Sequence, residues 1–145
     1  MHLVTLLTAL ALSAEPTPVV PLKDAPAYVI ANGKGVAVLQ QNAGTGSPDA
    51  SVGRLSLEPG AVVPEHAHDD AAEILVVLSG RAELTLGGRT WALGPGDAVH
   101  LPKGQKHSAK VPADAKAAFV AVQVYTPAGA EQRFAKGAKA PPQSP

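Results

Sequence analysis

"PGAVVPEHAHDDAAEILVVLSG", residues 59–80, places His66 and His68 two positions apart, Glu73 five further on, and an apolar run closed by Gly80. On a strand, residues i and i+2 point to one face, so the two imidazoles share a side. The odd offset of Glu73 would send it to the opposite face of an uninterrupted strand. A reversal at "DDAA", residues 69–72, removes the conflict: Glu73 then opens the next strand and can turn inward beside the histidines. Two imidazoles and a carboxylate converging inside a β-barrel are hard to account for as packing alone, and they are donors suited to a metal ion. A fourth ligand is needed to test that reading. The run "EILVVLSG" is apolar on both parities, which predicts a strand covered on both faces.

The surrounding sequence is punctuated as an all-β domain. Runs at 35–41, 51–57, 61–68, 73–79, 82–86, 89–93, 97–101, 107–111 and 117–125 alternate with Gly, Pro, Asp and Asn clusters, and no stretch between them carries a helical period. "AELTL-GG-RTWAL" predicts a hairpin, because two glycines can adopt the positive φ of a tight turn. "NAGTGSPD", residues 42–49, reads as a loop, and no internal repeat is evident. Many short strands around one modest core predict a sandwich or barrel, with edge protection favouring closure. The chain length, 145 residues with 46% hydrophobic content, suits one domain. Twelve basic and twelve acidic residues create no long-range field for nucleic acid or an anionic membrane, and five aromatic residues give few stacking platforms. The expected partner is a small molecule.

The amino end reads differently. "MHLVTLLTALALSAEPTP" has an apolar run over Leu3–Leu12, too short to span a membrane, followed by small residues and prolines. It predicts a signal peptide over residues 1–14 with an atypical n-region, a Pro-rich linker over 15–26, and a secreted or periplasmic protein without a membrane anchor. A core helix or strand is the alternative. Zero cysteines exclude disulfides and thiolate ligands. Residues 127–145, ending in "KGAKAPPQSP", are expected to form a flexible extension.

A second stretch, "GDAVHLPKGQKHS" at 96–108, brings turns at Gly96–Asp97 and Pro102–Gly104 and a strand beginning at His107. Here the chain resembles the cupin superfamily, small β-barrels of jelly-roll type. The first cupin motif, G-x5-H-x-H-x4-E-x6-G, is matched by Gly60, His66, His68, Glu73 and Gly80. The second, G-x5-P-x-G-x2-H-x3-N, is matched by Gly96, Pro102, Gly104 and His107, and departs at Val111, where the pattern has Asn. The resemblance covers roughly residues 50–126, and the two motifs stand fifteen residues apart. It implies a single-domain jelly-roll barrel over 27–126 and one divalent transition metal ion held by His66, His68, Glu73 and His107. Three imidazoles and a carboxylate suit Fe, Mn, Ni, Cu or Zn, whereas Ca and Mg prefer all-oxygen sites. Outside the cytoplasm, affinity order would favour Cu and Zn. A cupin that keeps these residues without a metal is the alternative. Cupins commonly pair through their sheets, which implies a homodimer.

Further candidates are weaker. His100 sits one strand from the site and can hydrogen-bond a ligand there, against the plainer reading of a surface or core histidine. Parity in "FVAVQVY" puts Phe119, Ala121, Gln123 and Tyr125 on one face. If that face lines the barrel, Gln123 and Tyr125 become polar pocket groups. Arg54, suited to a carboxylate or phosphate, and Ser56 are candidates of the same kind. For all four the plainer expectation is solvent-exposed strand residues. Glu65 is expected in solvent. Function then divides among a metal-dependent enzyme, for example an oxygenase, a non-catalytic small-ligand or metal-sensing module, and a structural barrel. A fold does not choose among them.

Overall fold

The computed structural model of the chain describes residues 19–144. The expected signal peptide and the first residues of the expected linker lie outside the described residues. Among the described residues ten strands are formed: β1 (Ala27–Ile30), β2 (Gly35–Gln41), β3 (Ser51–Leu57), β4 (Val62–His66), β5 (Ala72–Ser79), β6 (Ala82–Leu86), β7 (Arg89–Leu93), β8 (Ala98–Leu101), β9 (His107–Lys110) and β10 (Phe119–Thr126). They make two antiparallel sheets, one in the order β1-β2-β3-β10-β5-β8 and one in the order β4-β9-β6-β7. The fold is an all-β jelly roll. Strand β1 is an addition to the runs read from the sequence. Its four residues are set between Pro26 and the turn at Asn32–Gly33, and β2 supplies the partner for all four.

The two sheets face each other across one core. Leu55, Leu57, Leu75, Val77, Leu101, Phe119 and Ala121 from the larger sheet meet Ala82, Leu84 and Leu93 from the smaller one. The alternation is strict along β10, where Phe119, Ala121, Gln123 and Tyr125 are buried and the intervening valines are only half-buried. The interior is therefore divided along its length. Phe119 pairs with Leu57 at the apolar end, and Tyr125 pairs with Glu73 at the polar end.

Turn chemistry sets the register. Gly87 and Gly88, both at positive φ, close the β6–β7 hairpin with Leu86 opposite Arg89. Gly80 has a φ of 74° and passes so close to β10 that a Cβ would overlap the Ala118 carbonyl oxygen. The register between β5 and β10 shifts at Val120/Ala121, next to this approach.

Beyond β10, where the composition suggests a flexible extension, the described residues lie against the barrel. Ala130–Lys136 form a 3-10 helix. Val29 donates to the Ala138 carbonyl, Ala140 donates to the Ala27 carbonyl, and Tyr28 bridges to Lys139. The open edge of β1 thus receives a partner from a Pro- and Lys-rich segment. Val38, Ala25 and Ala27 form a second small cluster to which Ala140 adds.

Gly80→Ala combines a disfavoured φ with a backbone clash. It is expected to lower stability by about 2 kcal/mol or more, measurable by urea denaturation. An unchanged midpoint would refute the close-approach role.

Candidate metal centre

Strand ends deliver the polar groups to one mouth of the barrel. His66 is the last residue of β4, and a register shift between Val63 and His66 distorts that strand against β9. His68 lies just beyond it, followed by bends at Asp69 and Asp70, after which Glu73 enters β5 pointing inward. His107 is the first residue of β9, directly opposite His66. The Gly104 N–H donates to the His68 carbonyl at 2.8 Å, tying the loop before His107 to the loop before Glu73. Gly104 has a φ of 74°, which this turn requires.

The four side chains converge. One donor atom from each of His66, His68, Glu73 and His107 lies within 4.8 Å of the others. The ring centroids stand 4.9 Å (His66–His68), 4.3 Å (His66–His107) and 5.1 Å (His68–His107) apart. Glu73 is 3% exposed. Its Oε1 accepts from Gln123 Nε2 at 2.6 Å, and its Oε2 lies 2.8 Å from His68 Nε2 and 3.4 Å from His107 Nε2.

The rings are steered by the main chain. His66 Nδ1 lies 2.9 Å from the Pro64 carbonyl oxygen, and His107 Nδ1 lies 2.9 Å from that of Gln105. A carbonyl only accepts, so each Nδ1 carries the hydrogen and each Nε2 keeps a free lone pair. His107 Nε2 is buried without a hydrogen-bond partner. A nitrogen left in that state inside a barrel is costly as packing and natural as a ligand. With metal bonds near 2.0–2.2 Å, donors on opposite sides of an ion stand about 4 Å apart, so this cluster needs little contraction to hold one.

Electrostatics follow the same geometry. Burial acts to raise the Glu73 pKa, but the contacts with His107, His68 and Gln123 outweigh it and hold the carboxyl well below its usual range. Burial acts to lower the His107 pKa, yet the contact with Glu73 leaves it raised. Burial lowers that of His66. Burial, with the charge of Glu73 beside it, pushes the Tyr125 phenol far up, so it keeps its hydrogen.

The remaining candidates separate. Gln123 and Tyr125 face inward and are buried, against the plainer expectation, because their parity partners Phe119 and Ala121 belong to the core. His100 does not approach the cluster. Leu101 pairs with Glu73 and takes the inner face, leaving His100 exposed in a groove beside Trp91. Arg54 and Ser56 also face outward, since Leu55 and Leu57 occupy the inner positions of β3. Glu65 is exposed, about 4.0 Å from Lys106 Nζ. Val111 is a buried core residue whose N–H donates to the Ala61 carbonyl, away from the cluster.

Arg133, in the C-terminal 3-10 helix, was not foreseen. Its Nη2 donates to the Tyr125 hydroxyl at 2.8 Å, and its Nη1 lies 3.2 Å from His68 Nδ1. Arg133 and Phe134 close the mouth over a cavity of about 50 Å3 lined by Leu55, Leu75, Leu84 and Phe119 among others. The arginine lies outside both motifs in a segment without periodic apolar pattern, so no local signal marks it.

The family model for the cupin domain matches residues 53–123, a span holding both histidine-bearing loops and the strands that carry Glu73 and Gln123. The chain belongs to the cupin superfamily. Among curated proteins this cupin is 36% identical over 76 residues to quercetin 2,3-dioxygenase of Bacillus subtilis (strain 168), covering 52% of this chain and 23% of that one. It is 41% identical over 59 residues to a germin-like protein of Ipomoea nil, covering 37% and 28%. The cupin therefore spans about a quarter of the length of these relatives. Its fold matches the polyketide cyclase RemF from Streptomyces resistomycificus with a TM-score of 0.64 at 21% identity, over 74% of this chain and 77% of that one. At that identity the match speaks for the fold alone.

A depressed carboxyl pKa supplies stability that is complete above the unfolded value, 4.5, and is lost as pH falls through the folded one. In metal-free protein, the stability gap between wild type and Glu73→Gln should be widest above about pH 5 and shrink toward pH 2–3. Urea unfolding across that range reads it. A gap independent of pH would contradict an ionised Glu73.

Proposed function

We propose that this cupin is a metal-dependent enzyme acting on a small organic substrate, with oxygenase-like chemistry, and that His66, His68, Glu73 and His107 hold one divalent transition metal ion. The observation that carries the reading is the convergence of three imidazoles on one buried carboxylate, with His107 Nε2 left unpartnered. A bound ion of this type supplies Lewis acidity and, for redox-active metals, the means to engage dioxygen. The chain's own residues supply the rest. Gln123 fixes the Glu73 carboxylate through Oε1, leaving Oε2 toward the histidines. The Pro64 and Gln105 carbonyls orient two rings. Leu55, Leu75, Leu84 and Phe119 line an apolar cavity behind the cluster. The likeness to a quercetin 2,3-dioxygenase over half of this chain supports an oxygenase.

One observation favours a second reading, a non-catalytic module that binds a small ligand or a metal ion. The cavity of about 50 Å3 offers space for about two water-sized molecules. An organic substrate must enter from the mouth, past Arg133 and Phe134.

Elemental mass spectrometry on purified protein, followed by oxygen-consumption assays, separates the two. Near-stoichiometric Fe, Mn, Ni or Cu with substrate-dependent oxygen uptake supports the enzyme, while Zn alone, or no metal in a folded protein, moves the conclusion to the binding module. His107→Ala is expected to abolish stoichiometric metal, and His100→Ala to leave metal affinity unchanged. Full retention of metal by His107→Ala would end the four-ligand assignment.

We further propose a homodimer through the outer face of the larger sheet. Val52, Val76 and Leu78 are 36%, 38% and 51% exposed there in the single chain, so the face of β5 expected to be covered is open without a partner. Leu78→Lys should convert the dimer to a monomer in size-exclusion chromatography with light scattering. A monomeric wild type would refute the pairing.

A further inference from the structure

We propose that Arg133 is a positioning residue that holds His68 in the tautomer unable to ligate a metal through Nε2, so that loading an ion displaces the guanidinium from the barrel mouth. The inference rests on the metal reading above and concerns how the ion is admitted.

A guanidinium offers five N–H donors and no acceptor. Arg133 Nη1 lies 3.2 Å from His68 Nδ1, so in this contact Nδ1 accepts and the hydrogen of the neutral ring sits on Nε2. That assignment agrees with the other side of the ring, where Nε2 lies 2.8 Å from Glu73 Oε2 and can donate to it. His66 and His107 are in the opposite state. Their Nδ1 atoms face main-chain carbonyls, and their Nε2 lone pairs are free. Three rings assigned to one ion are thus held in two different tautomers.

Coordination through His68 Nε2 requires its hydrogen to move to Nδ1. Nδ1–H would then face the Arg133 N–H groups, donor against donor. The contact cannot survive, and the guanidinium must leave. Its other anchors are few: the Tyr125 hydroxyl at 2.8 Å, the Ala130 carbonyl at 3.3 Å, and the Phe134 ring at 4.3 Å from the guanidinium carbon. It also has somewhere to go. Arg133 borders a second, outward-facing groove whose lining includes Asp69 and Asp70, two exposed residues that offer acceptors. The rest of the extension stays anchored through Gln132 on Asn42 and the pairing of residues 138–140 with β1, so the exchange concerns the arginine side chain.

Two measurements on the full chain test this. Imidazole nitrogen NMR of the metal-free protein should find the hydrogen on Nε2 in His68 and on Nδ1 in His66 and His107. Calorimetric titration with Zn2+ should give Arg133→Met at least about tenfold tighter binding than wild type, the scale on which groups contacting metal ligands act. Arg133→Gln, whose amide oxygen can accept from Nδ1–H, should tighten binding likewise, and Arg133→Lys, which keeps a cationic donor, should stay near wild type. Thermal midpoints verify that each variant is folded. A merely structural arginine would weaken zinc binding or leave it unchanged when removed. Hydrogen on Nδ1 of His68 in the metal-free protein, or equal affinity in wild type and both neutral variants, would overturn the role of Arg133 while leaving the metal reading intact. No zinc binding by any form would remove the metal reading, and this inference with it.

Discussion

A carboxylate taken out of water is the constraint around which this barrel mouth is built. Burying Glu73 is costly unless its oxygens are matched, and removing a partner from a buried charge costs several times more than a surface pair is worth. The groups around it come from distant parts of the chain: Gln123 from β10 and His68 from the loop after β4 hydrogen-bond its oxygens, and His107 from the start of β9 lies beside them. Because β5 and β10 belong to one sheet and β4 and β9 to the other, the compensation of one charge also joins the two sheets at their polar end. At the opposite end Leu57 and Phe119, which are all but inaccessible, share the apolar core with Ala82, Leu84 and Leu93 of the smaller sheet.

Much of this was legible because strand periodicity is simple. His66 and His68 share a face by the rule of two, and the reversal at Asp69–Ala72 restores Glu73 to that face. The paired glycines at 87 and 88 announced a hairpin whose register followed. Parity alone also separated Gln123 and Tyr125 from the valines of β10. Other positions were ambiguous for a physical reason. In "DAVHL" either His100 or Leu101 can face inward, and only the pairing of Leu101 with Glu73 decides it. For Arg54 the flanking leucines already held the answer, since Leu55 and Leu57 claim the interior.

What the sequence could not convey is contact between remote segments with no pattern of their own. Strand β1 is too short to announce itself, and the stretch after Thr126 has the composition of a loose tail. Each stabilises the other: the free edge of β1 takes up residues 138–140, and that attachment carries Arg133 to the mouth. The arginine reaches His68 across 65 residues of sequence, a separation over which no local rule operates.

The orienting contacts of His66 and His107 have a consequence for how this site can change. Each ring is aimed by the carbonyl oxygen of the residue two positions earlier, at Pro64 and Gln105. A main-chain oxygen is common to all twenty amino acids, so substitution at position 105 cannot delete the group that aims His107. The aim of both rings is thus written into the path of the backbone, and evolution is free to vary the side chains around the mouth without disturbing it.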